Sequence, residues 1–115
     1  MQYGIPEIDV ATLAAWREAG RPFRLVDVRT APEVAQGIIP GAVHLPLHLL
    51  PLRFRELEGE GPLVVYCRTG ARSAQAVMWL AGQGWRDAHN LRGGVVAWAR
   101  AGQPLHPPQP IRAAG

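Results

Sequence analysis

The chain contains no lysine. All twelve basic residues are arginine, set against nine acidic ones, for a net charge of +3 over 115 residues. The arginines are spread from Arg17 to Arg112 without a run. A nucleic-acid partner would need a clustered basic face, so none is expected. Cysteine is nearly absent as well. Cys67 has no second cysteine for an intrachain disulfide and would stay reduced in a reducing compartment. No uninterrupted apolar run approaches the roughly 18 residues of a membrane span, so no membrane partner is expected. The N-terminal stretch MQYGIPEIDV has neither a basic nor an apolar leader region. No signal peptide is read there, and a cytoplasmic location is the default expectation. No internal repeat is present. What the chain does have is apolar substance: 48 % of its residues, enough for one modest core in one domain.

Turn signals divide that apolar content into short segments. Asp9 can cap a helix over residues 10–19 that stops at Gly20, with Leu13 and Trp16 toward the core. FRLVDVR, residues 23–29, reads as a strand. Thr30 then caps a short helix with Pro32 and Glu33 in its first turn. A loop feeds a short strand over residues 42–45. The segment 48–57 reads as helical, interrupted by Pro51. LVVY, residues 63–66, is a continuous apolar, β-branched run of the kind that is buried on both faces. A helix is expected over residues 73–83, a strand over 88–91 and a closing helix from near Gly94. The residues from 103 onward carry four prolines and no periodicity. The domain is therefore drawn as 1–105, with a Pro-rich tail over 106–115. Strands alternating with helices indicate an α/β domain with a mostly parallel sheet. Ligands in such sheets bind beyond the carboxyl ends of the strands. Two segments end there in polar residues: Asp27 to Arg29, and Cys67 onward.

The stretch CRTGARS places the lone thiol between a buried strand and a helix start. The thiolate is the reactive form of cysteine. A short loop of Arg68, Thr69, Gly70, Ala71, Arg72 and Ser73 can turn its backbone N–H groups inward as a nest. The helix that follows points its positive end at the same place. Arg68 and Arg72 add full charges. Together these features would depress the thiol pKa and build a receptor for a small anion. The plainer reading is a small buried hydrophobe at a strand end. Against it stand two arginines that cannot be buried unpaired without large cost.

Four motifs, in order, resemble the rhodanese-like sulfurtransferases. LVDVR is similar to that family's strand with an Asp-x-Arg ending. EVAQGIIPGAVHLP is similar to its Glu-x-x-x-Gly-His-Ile-Pro-Gly-Ala segment, with Ile38 where the family has His. VVYCRTGARS is similar to its active-site strand and loop. LRGGVVAWARAGQPL is similar to its closing Gly-Gly-x-x-x-Trp-x-x-x-Gly-x-Pro element. The resemblance spans residues 8–105 and implies a three-layer α/β/α fold around a central, mostly parallel sheet of about five strands. It implies that Cys67 accepts a sulfane sulfur as a persulfide and passes it to a nucleophilic acceptor in ping-pong fashion. The N–H groups of residues 68–73 would hold the outer sulfur, and Arg68 and Arg72 the donor's sulfonate. Asp27 and Arg29 would brace the site from the next strand, unless they only close the strand end as a surface ion pair. Trp98 is expected to pack. The implied donor is a thiosulfate-like anion. The acceptor is cyanide or a thiol, with a thioredoxin-type or sulfur-carrier protein as the cellular candidates. No cofactor is implied.

Three rivals stand beside this reading. Cysteine phosphatases and arsenate reductases use a Cys-x5-Arg loop for a tetrahedral oxyanion, whereas Cys67 to Arg72 is Cys-x4-Arg, a narrower bowl. A binding or regulatory module would not need the cysteine. His44 and His48 have the spacing of a helical metal-ligand pair, but Pro46 lies between them and no third ligand is near in sequence, so no metal is expected.

Overall fold

The layout follows from one segment. Leu63, Val64, Val65 and Tyr66 are each fully buried, so both faces of their strand must be covered. In the computed structural model, which describes residues 4–107, they form the central strand of a five-stranded parallel sheet. The strands are β1 (Glu7–Ile8), β2 (Arg24–Asp27), β3 (Val43–His44), β4 (Leu63–Tyr66) and β5 (Ala88–Leu91), in the spatial order β1-β5-β4-β2-β3. The helices are α1 (Val10–Glu18), α2 (Ala31–Val34), α3 (Leu50–Arg53), α4 (Ala71–Gly82) and α5 (Gly94–Arg100). Pleat alternation splits the core in two. Leu63 and Val65 join Val77 and Leu80 of α4 on one face, and Val64 and Tyr66 join Leu13 and Trp98 on the other. The three-layer α/β/α fold expected from the sequence is the one observed.

The boundaries differ from the sequence reading where packing overrides local pattern. β1 went unassigned because two residues after Pro6 carry no periodicity. It exists because the edge of β5 accepts it: Asn90 N–H donates to Pro6 O at 2.8 Å and Arg92 N–H to Ile8 O at 2.8 Å. β2 is shorter than residues 23–29, because the chain turns at Arg29 to fold its guanidinium back onto Asp27. The 48–57 segment is three short pieces: 3₁₀ turns at Leu47–Leu49 and Phe54–Leu57 flank α3. Pro51 sits in the first turn of α3, where its missing N–H costs nothing, so it starts a helix rather than interrupting one.

The caps behave as read. Asp9 accepts from Thr12 N–H at 2.8 Å. Glu33 Oε1 accepts from Thr30 N–H at 3.1 Å and Thr30 Oγ1–H at 3.0 Å, anchoring the first turn of α2. At the other end of the domain, Trp98 is buried and donates its indole N–H to Pro104 O at 2.8 Å. Ile38 and His106 then pair backbone to backbone, at 2.8 and 2.9 Å. The expected tail, 106–115, therefore begins with a residue tied to the domain, and its residues 108–115 lie outside the described part. No helix among the described residues is long and apolar enough to cross a membrane.

Candidate active site

Cys67 is the first residue past β4, and it is 1 % exposed. The sulfur is nonetheless not in a purely hydrocarbon setting. Gly70 takes φ +115°, a conformation open to glycine, and this turns its N–H back onto Sγ at 3.1 Å. Ser73 Oγ lies 3.3 Å from the same sulfur. The helix that follows begins at Ala71, two residues earlier than its sequence suggested, so Ala71, Arg72 and Ser73 belong to the first turn of α4. Burial is the largest single influence on the thiol and opposes ionisation. It is outweighed by the Ser73 hydroxyl together with the amides of Ser73, Gly70 and Thr69, and the Cys67 pKa falls below the ordinary thiol value.

The loop is held in this shape from behind. Val95 N–H donates to Cys67 O at 3.0 Å and Val96 N–H to Arg68 O at 3.1 Å, so the first turn of α5 takes the carbonyls outward while the amides face in. This contact requires a glycine. A Cβ on Gly94, whose φ is +59°, would stand 2.5 Å from both carbonyl oxygens. The Gly-Gly pair had been read from the sequence only as a matching motif, and the loop is what it serves.

The two loop arginines have different lives. Arg68 is exposed and makes no ion pair among the described residues. Together with Glu33, Val95 and Leu105 it borders a cleft of about 400 Å³. Arg72 is engaged: its Nη1 and Nη2 donate to Glu33 Oε1 and Oε2 at 2.6 and 2.7 Å. The guanidinium, aided by the Thr30 cap, holds the Glu33 carboxyl down to a pKa of about 2. The sequence marks Glu33 as a first-turn acid and as the first residue of the EVAQGIIPGAVHLP motif, with no partner assigned; its position in the first turn of α2 is what aims it at α4.

Asp27 and Arg29 form a buried pair, not a surface one. Asp27 is 0 % and Arg29 5 % exposed. Arg29 Nε and Nη2 both donate to Asp27 Oδ2, at 3.0 and 2.7 Å. Nη2 also reaches Gly37 O at 2.6 Å. This pair pins the turn carrying α2, and so fixes Glu33 against Arg72. Tyr66 adds a tie on the same side: its hydroxyl accepts from Ile39 N–H at 3.0 Å, and burial beside Asp27 raises its pKa. Ile38, where the family motif has His, is buried and bridges His106 backbone to backbone. His44 is occupied elsewhere, donating Nε2–H to Arg29 O at 2.7 Å, while His48 is exposed on its 3₁₀ turn.

Asn90 was missed. The one available signal was an amide in a strand otherwise destined for burial. It is fully buried in β5, with its Oδ1 2.6 Å from Ser73 Oγ and its Nδ2 3.1 Å from Gly70 O. Glu7, the other missed residue, accepts from Asn90 Nδ2 at 3.2 Å.

The structure thus places a thiol among inward amides at the carboxyl end of a central parallel strand. Residues 9–101 match the model of the rhodanese-like domain. The chain belongs to the rhodanese-like domain family. It is 46 % identical over 105 residues to a sulfurtransferase of Allochromatium vinosum, covering 91 % of this chain and 98 % of that one. It is 39 % identical over 84 residues to the thiosulfate sulfurtransferase GlpE of Pseudomonas syringae pv. syringae, covering 73 % and 77 %. In structure it resembles the rhodanese-like domain protein of Staphylococcus aureus, with a TM-score of 0.81 at 31 % identity over 91 % of this chain and all of that one. Sulfurtransferase activity is the general chemistry these relatives support.

Proposed function

We propose that the protein is a single-domain sulfurtransferase that takes sulfane sulfur from a thiosulfate-like anion onto Cys67 and delivers it to a thiophilic acceptor. The observation that carries this is the donor set at Sγ: a Gly70 amide at 3.1 Å and a Ser73 hydroxyl at 3.3 Å in a loop whose carbonyls are held outward by α5. In the first half-reaction the Cys67 thiolate attacks the outer sulfur of the donor. A sulfur–sulfur bond forms at Sγ, the donor's own sulfur–sulfur bond breaks, and sulfite leaves with the electron pair. The outer sulfur of the persulfide is now the anion, and the loop amides 68–73 hold it. In the second half-reaction cyanide or a thiolate attacks that outer sulfur, and the thiolate of Cys67 is restored.

Arg68 and Arg72 are the cations assigned to the donor's oxyanion, and their situations divide the work. Arg68 is free to meet an incoming sulfonate. Arg72 contributes with its charge already shared with Glu33, so the loop offers less net positive charge than its sequence suggests. Asp27 and Arg29 act as braces. The narrow, 1 % exposed thiol suits transfer of a single atom better than of a phosphoryl group. The test is steady-state kinetics with thiosulfate and cyanide varied together. Parallel double-reciprocal lines are expected, and thiocyanate formation should vanish in Cys67→Ser. Turnover of Cys67→Ser within tenfold of the unaltered protein would remove Cys67 from the mechanism.

A further inference from the structure

Ser73 has one hydroxyl proton, and three acceptors stand within its reach: Asn90 Oδ1 at 2.6 Å, Gly70 O at 3.2 Å and Cys67 Sγ at 3.3 Å. The Gly70 carbonyl is already served by the Ala74 amide at 3.0 Å and Asn90 Nδ2 at 3.1 Å, which occupies both its lone pairs. The proton's choice is therefore between Asn90 and sulfur. Asn90 cannot rotate out of the competition. Its Nδ2 donates to Gly70 O and Glu7 Oε2, both acceptors only, and this fixes Oδ1 toward Ser73.

We propose that Asn90 is a positioning residue that sets the acidity of Cys67 by competing with sulfur for the single hydroxyl proton of Ser73. While the thiol is protonated, Ser73 donates to Asn90, and its oxygen accepts the S–H proton. When Cys67 ionises, its proton leaves for solvent and the hydroxyl turns to donate to the thiolate. Asn90 Oδ1, fully buried, then loses its donor. The bare thiolate is thus less stable than an uncontested Ser73 hydroxyl would make it. On the reading of Cys67 as sulfur carrier, there is a further consequence. Once Sγ has passed its charge to the outer sulfur, the hydroxyl is released back to Asn90, so Asn90 favours the loaded state.

Charged groups face this cluster from every side. They are Arg68 in the loop, Arg72 of α4 with Glu33 of α2, Asp27 at the end of β2 with Arg29 in the turn after it, and Glu7 of β1 beside Arg92 at 3.7 Å. Replacing Asn90 by the near-isosteric leucine leaves all of these charges in place and removes only the amide. The readout is the pH dependence of Cys67 alkylation by iodoacetamide, which involves no sulfur transfer and so stands apart from the proposed activity. Asn90→Leu is expected to lower the alkylation midpoint by roughly half to one pH unit, a hydrogen bond's worth. In a Ser73→Ala background that downward shift should be absent, leaving only what loss of the Nδ2 contact to Gly70 O does to the loop. An unchanged or raised midpoint, or an equal downward shift without Ser73, would overturn the proposal. A second readout needs no variant of Asn90. The side-chain carbonyl carbon of Asn90 should titrate in the NMR spectrum with the Cys67 midpoint, and the amplitude should collapse in Ser73→Ala. Equal amplitude in both proteins would also overturn it.

Discussion

Cys67 is held between opposing forces at the residue scale: burial raises its pKa, and the hydroxyl and amides around it lower it further than burial raises it. The depressed pKa fixes the sign of the pH dependence. Sulfur loading should rise with pH and level off at a midpoint below the ordinary thiol value, and Ser73→Ala should move that midpoint upward in a plot of kcat/KM for thiosulfate against pH. Arg72 shows why a charged pair is best tested on both members. Arg72→Ala should lower kcat/KM for thiosulfate by roughly ten- to hundred-fold, the scale of a charge-assisted hydrogen bond. Part of that loss comes from Glu33, whose carboxylate is left without its counter-ion and repels the donor. Adding Glu33→Gln to Arg72→Ala should therefore recover about threefold or more, a coupling that a double-mutant cycle measures. No recovery would mean that Arg72 acts on the donor alone. The same pair predicts an acid response. Glu33 is depressed from an ordinary 4.5 to about 2, so its contribution to stability is complete above pH 4.5 and is lost as the pH falls toward 2. Melting temperature should drop more steeply across that window in the unaltered protein than in Glu33→Gln.

The elements matter because the loop does not hold itself. α5 receives the loop carbonyls, β5 supplies Asn90 beneath Gly70, and α2 supplies Glu33 to Arg72. Gly94→Ala tests the first of these supports. It asks alanine to adopt φ +59° and places a Cβ 2.5 Å from two carbonyl oxygens. The left-handed backbone alone costs about 1–3 kcal/mol, and moving the loop adds to it. Thermal melts should show the loss of stability. Cys67 alkylation should show a raised midpoint, because the amides can no longer converge on the sulfur. Elements also mark where sequence reading succeeds. β4 was legible because four consecutive apolar residues permit little but a strand covered on both sides. The Asp9 and Thr30 caps were legible because their hydrogen bonds are local. β1 was not, since two residues become a strand only through the edge of β5. The broken 47–57 segment was not, since its pieces are set by what they pack against.

For the whole molecule, the parallel sheet brings four separated stretches of chain to one end. This explains the uneven legibility of the site. Cys67 and its loop are contiguous, so their chemistry could be read directly from CRTGARS. Glu33, Asn90 and Glu7 join them only through the strand order β1-β5-β4-β2-β3, and no local pattern announces that. Arg72 was read as a free cation for the same reason, because its partner lies 39 residues away. Closure at the far end of the described residues is similar: Ile38 and His106 meet through two backbone hydrogen bonds, two residues past Pro104, which accepts the indole N–H of the buried Trp98. Ending the chain at Leu105 should cost about 1–3 kcal/mol in denaturant unfolding, two backbone hydrogen bonds' worth.

The claim beneath all of this is that Cys67 carries the sulfur, and intact-mass spectrometry after brief exposure to thiosulfate tests it most directly. One added sulfur atom per chain is predicted, absent in Cys67→Ser and removed by cyanide as thiocyanate. A folded protein that gains no mass from thiosulfate or from a persulfide donor, with its thiol still free to alkylate, would contradict the account.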